Sequence, residues 1–414
     1  MNNRHYLLKN VAFFLALSLL GFVIASERKD ANEPLIYLNE ERLLVSKQRL
    51  SEGHESYESA YKELLSLANT ELQKTVDPVT NKTMLPASGD IHDYYTLGSY
   101  YWPDETKEDG LPWIYKDGQF NPISNGPETD WKRRNAMLDS LEVLTLAFYF
   151  SEDLVYLEKA KEIVEIWFIN DETKMNPNVD YGKAIPGKSE GTNFSIIDWT
   201  DIGKVATVAQ LLKRTGLWKE KEASKMRLWF EEYYVWLTTS EFGKLEETRK
   251  NNHGTNYDYQ AIGLMIYLGK KGDAIEKLNA VKTTRIAAQI EPDGSQPLEL
   301  ARTKSVNYSV NNLWALTRIT DLGRRHTPVD LMDIESKHGA SIEAAMSFLE
   351  PYILGEKMWK WKQITGGGAE KQLQNLAAPK INKMALLLGE KPLIDNISVY
   401  EKLSAADVMT YAPY

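Results

Sequence analysis

The sequence contains no cysteine. That excludes disulfides, thiolate zinc sites, cysteine nucleophiles and a lipid anchor through an acylated cysteine. Runs that alternate polar and apolar residues are scarce, which argues against a sandwich or barrel of strands. No Pro/Ser-rich linker divides the chain, and no fixed-period repeat is legible. A basic excess is also missing. Against 49 Lys and Arg stand 58 Asp and Glu, a net charge of -9. A general nucleic-acid binder carries the opposite sign, so nucleic acid is not expected as a partner. A polyanionic ligand remains open only if basic and amide groups gather locally in a site.

One long apolar run exists, Val11 to Ile24, behind Arg4 and Lys9 and ahead of Ala25-Ser26. Positive, apolar and small-residue segments in that order read as an export signal over 1–25. The other reading is an uncleaved N-terminal anchor, although the run is short for a membrane span. Cleavage removes two positive charges, taking the net charge from -9 to -11. A cysteine-free exported chain fits a bacterial periplasm or the outside of the cell, with no stable membrane insertion once the signal is gone.

The rest, 26–414, reads mostly as amphipathic helices. Leu157, Ala160, Val164 and Trp167 share a face, as do Met226, Trp229, Tyr233 and Trp236. The segment beginning Ile202 ends at Gly216, a good residue to follow a helix, and the one containing Leu313 closes at Gly323. Asp273 is a candidate N-cap, and Pro379 is expected to bend the helix from Leu373 to Leu388. Many helices of similar length with short turns predict an all-α fold. The expectation is a single solenoid or closed α/α toroid of about six or seven helical hairpins.

Three stretches break the helical pattern, and long loops in a compact helical domain tend to carry function. The first, Gly89 to Asp130, contains Tyr100, Tyr101 and Trp102. Aromatic faces of this kind stack on sugar rings while their polar edges bond hydroxyls. The second, Pro177 to Asn193, ends where Asn193 either caps a helix or presents its amide to a ligand. The third is the turn cluster Glu291 to Leu298, with Gln296 inside it.

Three further segments carry candidate chemistry. Asn251-Asn252-His253-Gly254-Thr255-Asn256 precedes an apolar helical run, so its amides and imidazole sit at a helix entrance suited to anions. Asn and Thr are equally common there as plain caps. Downstream, Arg302 and Tyr308 are six residues apart, more than a turn and a half of helix, so a loop would help them meet. A cation beside a phenol favours phenolate and lowers its pKa. The bland alternative is an Arg302–Glu299 pair with Tyr308 simply packed. Trp359-Lys360-Trp361-Lys362-Gln363 alternates aromatic and cationic residues, a further sugar-contact candidate in Lys362 or else a solvated strand.

The segments LGSYYWPDETKEDGLPWIYKDGQFNP (97–122), NNHGTNYDYQ (251–260) and EPDGSQPLELART with NYS (291–309) resemble the alginate-lyase superfamily of α/α-toroid polysaccharide lyases. More narrowly they look like family-38 polysaccharide lyases, which include alginate and glucuronan lyases. The resemblance runs from about residue 85 to 365 and keeps the motifs in order. It implies β-elimination on a β-1,4-linked uronan, with alginate first and glucuronan second. Asn193 resembles the carboxylate-neutralising Asn and His253 the catalytic His. Arg302 resembles the Arg that holds the catalytic Tyr and the substrate carboxylate, and Tyr308 resembles that Tyr. Asn252, Asn256, Tyr100, Tyr101, Trp102, Gln296 and Lys362 are the candidate substrate contacts. No cofactor or essential metal is implied. Relative to the older alginate-lyase family of this fold, the Arg–Tyr spacing differs slightly, and the second residue after Tyr308 is not aromatic. The alternatives are a glycoside hydrolase on the same toroid, with Asp198, Asp201, Glu291, Asp293 and Glu299 as available carboxylates, or a non-catalytic glycan binder.

Overall fold

The computed structural model describes residues 33–332, 339–394 and 403–411. The expected export segment lies outside them. Among the described residues no helix is long and apolar enough to cross a membrane.

Helices dominate: α1 (Glu40–Ser51), α2 (Glu55–Leu72), α3 (Trp131–Ser151), α4 (Leu154–Phe168), α5 (Gly203–Arg214), α6 (Glu220–Thr239) and α7 (Glu241–Glu247). They continue with α8 (Asn252–Tyr267), α9 (Lys271–Val281), α10 (Ser305–His326), α11 (Ile342–Ile353), α12 (Ala378–Leu387) and α13 (Ala405–Tyr411). Neighbours in sequence pack on one another. Only Glu152 and Asp153 separate α3 from α4, so the two run antiparallel; Glu152 takes a left-handed backbone and the Asp153 side chain caps α4 through the Val155 N–H. At the far end of the chain, α13 returns to pack on α1 and α2, which closes the ring. The fold is an α/α toroid.

Two buried clusters fill it. One gathers the apolar stripes of α2 to α6, the other those of α9 to α12, and Tyr37, Ile266 and Tyr267 pack against both. Tyr37 inserts between α5 and α8. A Cβ on Gly203 or Gly263 would come within 2.3 and 2.0 Å of its ring and hydroxyl, so only glycine fits at either helix.

Several local expectations shift. Gly216 follows α5 with positive φ, as anticipated, but Gly323 does not end α10. The helix runs on to His326, and the missing side chain instead admits the Val329 carbonyl, which would lie 2.7 Å from a Cβ. The cap of α9 is Lys270, with Asp273 inside the first turn, where its charge still suits the helix dipole. Pro379 stands in the first turn of α12. The irregularity falls before it, in a π-helical turn over Leu373–Ala377.

The few strands serve the aromatic loop. β1 (Tyr95–Leu97) pairs in parallel with β4 (Tyr181–Ala184), and β2 (Tyr101–Trp102) pairs antiparallel with β3 (Ile114–Tyr115). A fully buried ion pair, Lys82–Asp130 at 3.3 Å, pins this loop to the start of α3. Lys82 donates to the Val79 and Ile91 carbonyls, and Asp130 accepts from the Tyr95 N–H. Each charge therefore has the extra hydrogen bonds that make its burial tolerable.

Candidate active site

The aromatic loop, the entrance of α8 and the start of α10 surround a cleft with a cavity of about 790 Å³. Its cationic lining is Lys183, Arg249, Arg302, Arg318 and Lys380, and among the described residues the lining holds one carboxylate, Asp201. Asn251, Asn252, Asn256 and Asn311 add amides. An acidic protein thus keeps a locally basic, amide-rich cleft, the arrangement a polyanion requires.

One wall is built by the turn before α10. Arg302 lies in that turn and Tyr308 in the first turns of the helix, so a loop does bring the two together. Arg302 Nη2 donates to the Tyr308 hydroxyl at 3.0 Å, and the guanidinium stacks over the phenol ring at 4.0 Å. The same Nη2 donates to Asp117 Oδ1 at 2.6 Å. Arg302 therefore pairs with Asp117, not with Glu299. Asp117 also accepts from the Thr303 N–H and hydroxyl and from the Tyr115 hydroxyl. Burial works against its charge, but Arg302, Tyr115 and Thr303 together hold its carboxyl well below the usual range. The Tyr308 hydroxyl donates to Tyr100 at 2.9 Å.

Here a sequence expectation holds only in part. Arg302 does pull the Tyr308 pKa down, but burial, and next the Tyr100 phenol, outweigh it and hold Tyr308 well above the ordinary tyrosine value. The guanidinium is already shared with Asp117, so its charge reaches the phenol reduced. At rest Tyr308 is a protonated hydroxyl held by one donor and one acceptor.

The second wall is built on a carboxylate. Glu246, in α7, is 0% exposed. It meets His253 Nδ1 at 2.5 Å and accepts from Asn193 Nδ2 at 2.5 Å. A carboxylate so placed accepts, so Nδ1 carries the proton and Nε2 is the free ring atom. Arg249 Nη2 donates to Asn193 Oδ1 at 3.3 Å, and its guanidinium lies 4.8 Å over the Phe194 ring. Phe194 in turn meets the His253 ring edge-on at 5.2 Å. Among the described residues Arg249 Nε is buried with no hydrogen-bond partner. Behind the entrance of α8, Glu299 accepts from the Asn252 N–H at 2.6 Å and its side-chain amide at 2.8 Å. Burial raises the Glu299 pKa, and the two Asn252 bonds oppose the rise.

The family model for alginate lyase matches residues 78–359. The chain belongs to the alginate lyase family. An alginate lyase from Bacteroides ovatus, known from its crystal structure, is 33% identical; the match covers 92% of this chain and 99% of that one, with a TM-score of 0.82. A variant of alginate lyase A1-III complexed with a tetrasaccharide shares the fold at 13% identity, with 85% of this chain and 95% of that chain covered and a TM-score of 0.51. No curated protein matches the sequence. As a member of the alginate lyase family the chain is a polysaccharide lyase.

Of the sequence-predicted residues, Tyr308, His253, Arg302, Asn252, Asn256, Tyr100 and Tyr101 line the cleft of this alginate lyase family member. Four others do not. Asn193 stands just behind the wall, 5% exposed, in a 3-10 turn that its side chain does not cap, while Thr192 and Phe194 on either side reach the cavity. Gln296 is 3% exposed and spent inside the protein, donating to the Ser309 carbonyl and accepting from Asn312. Trp102 donates its indole N–H to the Gln119 carbonyl outside the cavity, with Lys116 over its ring. Lys362 is exposed on an extended segment whose neighbour Gln363 bridges to Lys304. Sequence reasoning missed Asp117, Glu246 and Arg249. The last two stand in Glu246-Glu247-Thr248-Arg249-Lys250, directly before the Asn-rich motif, and a charge run ending at a helix entrance was the available signal.

Proposed function

We propose that this chain cleaves a β-1,4-linked uronan, alginate first and glucuronan second, by β-elimination outside the cytoplasm. The observation that carries the reading is the Tyr308 hydroxyl, seated between Arg302 and Tyr100 in a cleft it shares with His253. The reaction takes the C5 proton of a uronate, breaks the C4–O4 bond, leaves a C4=C5 double bond and returns a proton to O4. The carbanion beside an ionised carboxylate is poor unless preorganised donors offset the developing charge, at ~3 kcal/mol for each donor. Arg249 and Arg302 face the cleft with such donors, and Asn193 stands beside them, held by Glu246 and Arg249.

The acid and base assignments depend on the sugar. Where the C5 proton and O4 lie on the same side, as in mannuronate and glucuronate, Tyr308 performs both transfers in sequence. In guluronate, the opposite geometry, His253 Nε2 is the base and Tyr308 the acid. The protonated resting state of Tyr308 suits the acid step directly. For the base step it must first shed its proton, so turnover of mannuronan should climb with pH further into the alkaline range than turnover of guluronan.

The hydrolase alternative requires two carboxylates flanking the bond. Among the described residues only Asp201 lines the cleft as an acid, because Glu299 is buried behind Asn252 and Asp198 is bound to Lys183. A test places polymannuronate, polyguluronate and glucuronan in parallel with protein lacking residues 1–25. Ultraviolet absorbance from the new double bond is expected on at least one polymer. New reducing ends without absorbance would move the assignment to a hydrolase, and neither signal would move it to a glycan binder.

A further inference from the structure

The cleft does not stop at Tyr308. It follows one face of α10 inward through Asn311, Trp314 and Arg318, a spacing of three to four residues that keeps side chains in one row. Ten residues separate Tyr308 from Arg318, roughly 15 Å along the helix axis at 1.5 Å per residue. At that depth Lys380 enters from α12, its ammonium 4.8 Å from the centre of the Trp314 ring. Lys380, Arg318, Trp314 and Asp201 also border a second cavity of about 330 Å³, so the space continues past them. Lys380 lies beyond the stretch matched by the family model.

Among the described residues each charge at this inner end but one has a partner of opposite charge, and Lys380 has only the Trp314 ring under its ammonium. Arg318 pairs with Asp201 at 2.7 Å and stacks over Tyr259 at 4.1 Å. Lys383, one turn along α12, pairs with Asp407. Among the described residues no carboxylate lies within ion-pair distance of Lys380. Asp201 keeps 49% of its side chain open, and what it opens onto is the two cavities. An aromatic face flanked by a guanidinium and an unpaired ammonium is a fitting receptor for a sugar that carries a carboxylate.

We propose that the inner end of the cleft is a uronate-binding subsite, in which Lys380 and Arg318 take the carboxylate of a sugar unit stacked on Trp314, several units from the bond that breaks. The proposal rests on the uronan-lyase reading of the cleft. Asp201 is neutralised by Arg318, so it accepts hydroxyl hydrogens there without repelling the chain. Burial, then Lys383 and Arg318, bring the Lys380 pKa down to about 8, as expected for an ammonium that lacks its anion.

The test compares wild type, Lys380→Met and Lys380→Arg on oligouronates from dimer to octamer, following absorbance. In the wild type KM should fall as the oligomer grows long enough to reach Trp314. In Lys380→Met that fall should disappear, raising KM for the longest oligomers by about tenfold or more, the worth of one charge-assisted hydrogen bond. Lys380→Arg should recover most of it. The Tm of Lys380→Met should not drop, since removing an unpaired buried ammonium relieves a desolvation cost. Unchanged length dependence in Lys380→Met overturns the subsite. So does a fall in Tm that Lys380→Arg fails to recover, which marks a structural lysine. If no uronan gives absorbance, the lyase reading itself fails. Calorimetric titration with a hexauronate then decides the subsite alone: weaker binding by Lys380→Met supports it, and equal binding overturns it.

Discussion

Glu246 and Asp117 hold the two walls of the cleft, and they do so under different conditions. Glu246 is 0% exposed and fixes His253 and Asn193 at once. The Asp117 side chain keeps 23% of its surface open and reaches Tyr308 without a hydrogen bond of its own, through Arg302 and through its charge. A buried carboxylate bonding two side chains leaves neither free to turn. A half-open one tunes charge more than position, because water can replace part of what it does. The His253 wall therefore reads as the rigid side of the site, and the Tyr308 wall as its electrostatically adjusted side.

Glu246→Gln should separate these roles most sharply. The amide keeps the volume but can accept from only one of its two partners, so imidazole and Asn193 lose their common anchor. Turnover is expected to drop about 10²-fold, within the range contributed by a placed acid or base, while Tm changes little. A drop of only a few-fold would show that the His253 wall does not depend on its buried carboxylate.

Asp117→Asn should cost less and show itself in pH. Tyr308 is raised first by burial and by Tyr100, with the Asp117 charge adding to the rise. Removing that charge and freeing Arg302 should lower the Tyr308 pKa, so the alkaline rise of mannuronan turnover moves to lower pH. Burial and the hydrogen bond to Asp117 push the Tyr115 phenol up to about 12, and it should fall in the same variant. A rate loss with an unmoved pH profile would mean that Asp117 positions Arg302 rather than tuning Tyr308.

The smallest effect lies away from both walls and guards the comparison at acid pH. His326 contacts Arg325 and the Ile36 carbonyl, and burial, then Arg325, lower its pKa from 6.5 to about 4. A histidine with a depressed folded pKa contributes stability that is present above pH 6.5 and is lost as pH falls toward about 4. Thermal unfolding followed over that window should show Tm declining, and His326→Gln should flatten the decline. If activity falls there while Tm holds in both proteins, the acid limb belongs to the cleft.

Caps and apolar periodicity marked the segment of His253 as a helix entrance, but it was the resemblance of three ordered motifs to the alginate-lyase superfamily that joined His253, Arg302 and Tyr308 in one site, and all three line one cavity. The periodicity showed a stack of helical hairpins, open or closed, and the same resemblance implied the closed toroid. What failed was whatever depended on burial. Glu246 and Arg249 look like solvated charges in a charged run, and only the packing of α7 against α8 turns one inward. Gln296 looks exposed in its turn cluster, yet Asn312 and the Ser309 carbonyl consume its amide. The net direction of the Tyr308 shift is hidden from the sequence for the same cause. Arg302 is visible six residues away, whereas Asp117 comes from a distant loop and the burial of the phenol is set by the whole cleft.

On the proposed mechanism one tyrosine hydroxyl serves every uronan this site cleaves. The direct measurement is the initial rate of absorbance for Tyr308→Phe against wild type on polymannuronate, polyguluronate and glucuronan. A loss of ~10²-fold to 10⁴-fold is predicted on each polymer that the wild type cleaves, because the acid step is lost with every sugar geometry. Substantial turnover by Tyr308→Phe on any of them would contradict the account.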